Sequence, residues 1–232
     1  MFWRRREARP GLPDDWRAIL DARSAQWRLL DDTERDRLGE LTDWLLTERR
    51  WEAARGLELT DEVRITIAAH ACLLILGLDE RWYEQVGAIV VRDGSMAGRV
   101  ASAGTIKGAV SRFDVDGEAH HGDGPVMVSW RAARREAANP RLGRDVVLHE
   151  FAHKLDMLDG TLDGTPSLPD QAALDRWVAV SNRHYNDVVR GRSGRLLRSY
   201  AATNATEFFA VATESFFTRS ISPSFSMMSR LA

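Results

Sequence analysis

A single cysteine, Cys72, stands in 232 residues. One thiol excludes an internal disulfide and fits a reducing compartment, so a cytoplasmic location is expected. Strong charge of either sign is missing as well. The 32 basic and 34 acidic residues leave a net charge of -2, which gives no general pull toward nucleic acid or an anionic membrane surface. No apolar run is long enough for a bilayer. The longest, residues 68 to 78, is broken by His70 and falls short of the roughly 20 residues a span needs. The basic opening Met1-Phe2-Trp3-Arg4-Arg5-Arg6 lacks the apolar stretch of a secretory signal. Internal repeats and low-complexity tracts are absent. Neither a nucleic-acid partner nor a membrane is therefore expected.

What is present is an ordinary globular composition, 44% hydrophobic and 28% charged, on a chain long enough to bury a sizeable core. Its organising stretch is Asp145-Val146-Val147-Leu148-His149-Glu150-Phe151-Ala152-His153-Lys154-Leu155-Asp156. On a helix, His149 and His153 lie one turn apart and project from the same face. Two imidazoles so placed can share one zinc ion, and Glu150 can serve a water there without being a ligand. The apolar residues around them predict a buried helix. Buried imidazoles and a carboxylate need partners, because leaving them unpaired costs several kcal/mol.

Along the chain, residues 14 to 30 carry Trp16, Ile19, Leu20, Trp27 and Leu30 in a helical pattern. Asp31-Asp32-Thr33 offers a cap. A second helix is predicted over 34 to 54, with Leu38, Leu41, Trp44, Leu45 and Trp51 as its apolar positions and Gly56 as its stop. Trp44 and Trp51 read as core, not as a ligand-stacking pair. Thr60-Asp61-Glu62 starts a third helix that runs to Gly77. His70 and Cys72 on it read as core residues, not as ligand and nucleophile. Strands are predicted at 86 to 91 and 125 to 130, the second offering its edge to an extended peptide. Between them the glycine-rich residues 95 to 124 suggest short strands and turns, with a strand over 110 to 115 and His120-His121 in an exposed loop. Residues 131 to 139 form a short crossing ended by Pro140. Helices are predicted over 143 to 158, 171 to 189 and 204 to 218. The Asp-Gly turns at 159 to 166 lack the spacing of an EF-hand calcium loop.

A catalytic zinc takes three protein ligands and keeps one position open. Two residues compete for the third place. Asp159 is one, but the turn that would bring it back needs glycine at 156, where this chain has Asp156. Glu207, on a later apolar helix, is the other. Glu207 also stands three residues after Asn204, the spacing of a capping box that would turn its carboxylate toward its own helix end.

The stretch from Val146 to Met157 with Asp159-Gly160, Tyr200-Ala201-Ala202, Glu207-Phe208-Phe209-Ala210-Val211 and Glu214-Ser215-Phe216-Phe217 together resemble the Mlc titration factor A family of zinc metallopeptidases. Val128-Ser129-Trp130 and Ala71-Cys72-Leu73-Leu74 also fit. The resemblance spans roughly residues 30 to 218. The catalytic part of that family is similar to the anthrax lethal factor protease core, where a tyrosine precedes the glutamate ligand by seven residues, as Tyr200 precedes Glu207 here. The family usually continues into a Tyr-rich C-terminal helix that this chain does not match, and 95 to 124 is a poor match too.

The order of the elements predicts an α+β, zincin-like domain, mostly helical, with a small mixed or antiparallel sheet from residues 86 to 130 beside the motif helix. Residues 14 to 220 would form one such domain, 14 to 80 its helical N-terminal part, and 1 to 13 and 221 to 232 weakly ordered ends. The motif and its unfilled coordination position favour one Zn2+ held by His149, His153 and Glu207 with Glu150 as general base, and the resemblance adds Tyr200 as oxyanion donor. Asp156 and Glu214 are candidates to orient the imidazoles. The expected substrate is a peptide or protein, and the expected partner a glucose-related transcriptional repressor. A non-hydrolytic regulator that sequesters the repressor around a structural zinc is the alternative.

Overall fold

The computed structural model describes residues 11–54, 56–94, 124–192 and 197–219, and the backbone of 117–119. The predicted strand over 110 to 115, the His120-His121 loop, most of the glycine-rich segment and the outer parts of both ends lie outside the described residues.

Three helices lead the chain: α1 (Trp16–Arg23), α2 (Asp32–Glu48) and α3 (Asp61–Leu73). Asp31 and Glu34 close a reciprocal capping box on α2, each side chain accepting the other's backbone N–H at 2.9 and 3.0 Å. Thr60 caps α3 as predicted, accepting from the Val63 N–H. The second helix is shorter than its spacing suggested. Arg49 is extended, and Arg50–Ala53 forms strand β1. Trp51 fits the helical period, but four residues of parallel ladder with a neighbouring strand outweigh it. The part from 14 to 80 is thus not helical throughout, since it supplies a strand to the sheet. The third helix also stops short of Gly77, at Leu73.

Among the described residues, strands β2 (Ala88–Arg92), β3 (Gly117–Ala119) and β4 (Val126–Ser129) join β1 in a four-stranded mixed sheet of order β1-β2-β4-β3. β1, β2 and β4 run parallel, and β3 is antiparallel to β4. β2 is buried on nearly every residue, as a covered parallel strand must be. β4 is an inner strand, flanked by β2 and β3, so its edge is not open to a peptide; the outer position beside it belongs to β3. β4 also ends before Trp130, because Ser129 accepts from the Ala132 N–H and caps helix α4 (Trp130–Ala138).

The motif helix α5 (Val146–Asp156) is buried along its length between α3, the sheet and helix α7 (Ala205–Arg219). Phe151, fully buried, meets Tyr83 edge-on at 5.0 Å, and the Tyr83 hydroxyl donates to the Ala71 carbonyl at 2.7 Å. One apolar cluster runs from Leu20 through α2, α3 and the sheet to Phe151 and Phe217.

Both ends of α5 are pinned by carboxylates. At the start, Asp145 Oδ1 accepts the Val147 and Leu148 N–H groups at 3.0 and 3.1 Å, satisfying donors that a helix start leaves free. Its Oδ2 lies 2.6 Å from His70 Nδ1, and His70 Nε2 lies 2.9 Å from Ser24 Oγ. At the far end, Asp156 accepts the Gly164 and Thr165 N–H groups at 2.9 Å. The Gly164 carbonyl accepts from Trp177 Nε1 on helix α6 (Gln171–Val189) at 3.2 Å. Gly164 has a φ of +83°, and a Cβ there would run into the Ala205 carbonyl, so only glycine lets this loop lie against the start of α7.

Candidate metal centre

α7 crosses α5 and presents Glu207 and Glu214 to it. The two are seven residues apart, two helical turns, and so share a face. They bracket one imidazole. Glu214 Oε1 lies 2.6 Å from His149 Nδ1, while Glu207 Oε2 lies 3.2 Å from His149 Nε2. A ring that donates its Nδ1–H to a carboxylate keeps Nε2 as a lone pair, the tautomer a metal ligand needs.

His149 Nε2 and His153 Nε2 stand 3.2 Å apart, and Glu207 Oε2 is 3.8 Å from His153 Nε2. Among the described residues these three form the one group able to hold a metal ion. Donors about 2.0–2.1 Å from a common tetrahedral centre are separated by roughly 3.3 Å, so edges of 3.2, 3.2 and 3.8 Å fit such a centre. Glu207 Oε2 and His153 Nδ1 are buried and make no hydrogen bond of good geometry. A buried carboxylate oxygen left over costs more than a typical hydrogen bond returns, and a cation between the three donors would satisfy it.

Burial and the two carboxylates set the charges of the cluster. Burial alone would lower the His149 imidazole, but the Glu207 and Glu214 carboxylates beside it more than offset this and hold it up at about 10. Without a metal the ring therefore carries a second proton, on Nε2, at neutral pH, and a metal ion bound there would replace that proton. Burial and the charge on His149 push His153 down to about 4, so its ring stays neutral. Burial raises Glu150 to about 8, with His149 and Arg92 opposing and Glu207 and Glu214 adding to the rise. Burial and the neighbouring Glu207 charge lift Tyr200 to about 12, so its phenol keeps its proton at neutral pH. Tyr200 is close enough to share a hydrogen bond with Glu207, and its ring centroid is 6.1 Å from that of His149.

The structure therefore brings His149, Glu150, His153, Tyr200 and Glu207 together. Asn204 does cap the last helix, accepting from the Glu207 N–H at 2.8 Å, but the Glu207 carboxylate faces the imidazoles and does not turn back to Asn204. Asp159 is exposed, and its carboxylate accepts from the Thr161 N–H and hydroxyl. Of the two orienting candidates, Glu214 meets an imidazole and Asp156 holds the loop at 164 and 165 instead. Cys72 is fully buried, and burial pushes its thiol far up, which suits core and not a nucleophile.

Arg198 was not singled out from the sequence. Its guanidinium Nη2 donates to both Glu214 oxygens at 2.5 and 2.7 Å and its Cζ lies 5.5 Å from the Tyr200 ring centroid. Nothing in the arginine-rich run from 190 to 198 distinguishes it; only the return of α7 across the chain does.

Comparison with known proteins shows the family. A model of the glucose-regulated metallo-peptidase M90 family matches residues 1–223. The chain belongs to that family. An uncharacterized protein of Synechocystis sp. is 32% identical over 223 residues, covering 93% of this chain and 80% of that protein. Mlc titration factor A of Klebsiella pneumoniae is 28% identical over 193 residues, 81% of this chain and 72% of the relative. Mlc titration factor A of Salmonella arizonae is 27% identical over 219 residues, 87% and 86% of the two chains. Membership in the M90 family makes a bound metal and peptidase chemistry the frame for the His149, His153 and Glu207 group. No helix among the described residues is long and apolar enough to cross a membrane.

Proposed function

We propose that this chain is a cytoplasmic, zinc-dependent peptidase of zincin-like fold. His149, His153 and Glu207 hold the metal, Glu150 is the general base and Tyr200 the oxyanion donor. The observation that carries this reading is the triangle of donor atoms with edges of 3.2, 3.2 and 3.8 Å, one corner of which is a buried carboxylate oxygen with no well-formed hydrogen bond among the described residues. Two imidazoles and one carboxylate are a donor set of catalytic zinc, with a position left for water or substrate. A zinc ion bound there supplies Lewis acidity, polarising the scissile carbonyl and bringing the pKa of water toward about 7.

Burial raises Glu150, and the positive charge of a bound metal ion would oppose that rise and favour the carboxylate form that accepts a proton. Glu150 takes the proton of the attacking water and delivers it to the leaving amine. Tyr200 donates a hydrogen bond to the carbonyl oxygen as charge develops there.

Metal analysis of the purified protein should find one zinc per chain. Peptides with free and blocked N-termini should reveal hydrolysis that a chelator stops and zinc restores, and separate aminopeptidase from endopeptidase action. A folded chain that carries no metal and takes up no zinc would sink the reading. The name of the Mlc titration factor A relatives favours a second role, binding a transcriptional repressor without hydrolysis. Glu150→Gln separates the two, since it removes hydrolysis and leaves zinc and repressor binding in place.

A further inference from the structure

We propose that Arg198 is a positioning residue that sets the metal ligand His149 through Glu214 and holds the Tyr200 ring at the same time. The inference rests on the zinc-peptidase reading and goes beyond it.

Glu214 is a buried carboxylate at 1% exposure. A charge so placed is costly unless it is paired and hydrogen-bonded. Two groups meet it. His149 Nδ1 approaches Oε1 at 2.6 Å, and Arg198 Nη2 bridges Oε1 and Oε2 at 2.5 and 2.7 Å. With both oxygens held by Arg198, the carboxylate has little freedom to rotate, and Oε1 stays in line with the imidazole. That bond fixes the His149 tautomer and the direction of Nε2. A partner of this kind acts on a metal it never touches.

The same guanidinium lies over the Tyr200 ring, 5.5 Å from its centroid, within the range of a cation–π contact. Arg198 stands two residues before Tyr200, at the entry to the Ser199–Ala202 turn. Its bond to Glu214 therefore clasps that turn onto α7, and one side chain fixes a ligand imidazole and the phenol beside it. An ordinary buried ion pair would hold the fold together and leave zinc affinity unchanged. The two roles predict different measurements.

Zn2+ affinity is read by competition with a chromophoric chelator, and the melting temperature of the metal-free protein is recorded beside it. Arg198→Ala should weaken Zn2+ binding on the order of 10–100-fold, as should Glu214→Ala. The double variant should be no weaker than Glu214→Ala alone, because Arg198 acts on the metal through Glu214. Arg198→Lys, which keeps a cation beside the carboxylate, should recover most of the affinity, and Arg198→Gln should not. If Arg198→Ala fails to fold, the Lys and Gln variants carry the test, with Lys binding Zn2+ about tenfold more tightly at matched metal-free melting temperature. Unchanged Zn2+ affinity in Arg198→Ala, a full second loss on top of Glu214→Ala, or equal affinity of the Lys and Gln variants would overturn the inference alone. A wild-type protein that binds no Zn2+ would overturn the peptidase reading and this inference together.

Discussion

Two buried clusters in this chain draw on the same residue types and differ in what they leave over. Ser24, His70 and Asp145 align hydroxyl, imidazole and carboxylate at 2.9 and 2.6 Å, the order of a nucleophile, its base and an orienting group. Yet they are 2%, 0% and 1% exposed, and every polar atom is taken. The Ser24 hydroxyl donates to His70 Nε2 and accepts the Trp27 N–H. His70 Nδ1–H donates to Asp145 Oδ2, and Asp145 Oδ1 caps α5. Nothing remains to bind or react. In the His149 cluster, one turn further along the same helix, Glu207 Oε2 and His153 Nδ1 make no well-formed hydrogen bond among the described residues. Residue types alone do not make a site; unfilled bonding capacity and access do.

The largest effect should come from the residue that supplies that carboxylate oxygen. Glu207→Ala should lose most of its zinc on dialysis and with it the peptidase activity. Asp159→Ala should keep both, because Asp159 serves only its own turn. Metal analysis of the two variants decides the assignment, and the reverse pattern would place the third ligand at Asp159.

Next comes a loss of rate without loss of metal. Glu150→Gln should cost on the order of a hundredfold or more in turnover while zinc stays bound, since Glu150 is not one of the three converging donors. Full activity in the zinc-loaded variant would remove Glu150 from the chemistry. Tyr200→Phe keeps the ring under Arg198 and deletes one donor. Such donors contribute about 3 kcal/mol, roughly a hundredfold, and the loss should fall on kcat more than on KM. Zinc content and melting temperature should stay, and a variant that melts early with a normal kcat would make Tyr200 a packing residue.

The sequence carried the His149 cluster better than it carried the fold around it. His149, Glu150 and His153 lie within five residues, so helical geometry alone put them on one face. Glu207 was visible because a catalytic metal needs a third donor. What the sequence could not resolve was direction: Asn204 and Glu207 have the spacing of a capping box, and only the crossing of α7 over α5 decides where the carboxylate points. Glu214 and Asp156 were equal candidates for the same reason. β1 was missed because Trp51 satisfies a helical period and a strand alike; its pairing with β2 lies 38 residues away in register, Arg50 opposite Ala88, and no local pattern reports such a pairing. The inner place of β4 was likewise hidden, because sheet order is a property of the whole chain.

The smallest effect is expected in the closed cluster, and it tests the comparison most directly. Ser24→Ala removes one hydroxyl and leaves the Trp27 N–H and His70 Nε2 unpaired in the interior. An unmet buried group costs about 1–3 kcal/mol, and in a chain of this size each kcal/mol lowers the melting temperature by roughly 2–4 °C. The damage should stop there. Asp145 Oδ1 still caps Val147 and Leu148 without Ser24, so α5 starts at the same residue and His149 keeps its place one turn in. Zinc content and kcat should therefore equal those of the wild type, and a serine-directed fluorophosphonate should label neither protein. Loss of turnover at an unchanged melting temperature would mean that Ser24 reacts, and that burial had been mistaken for silence.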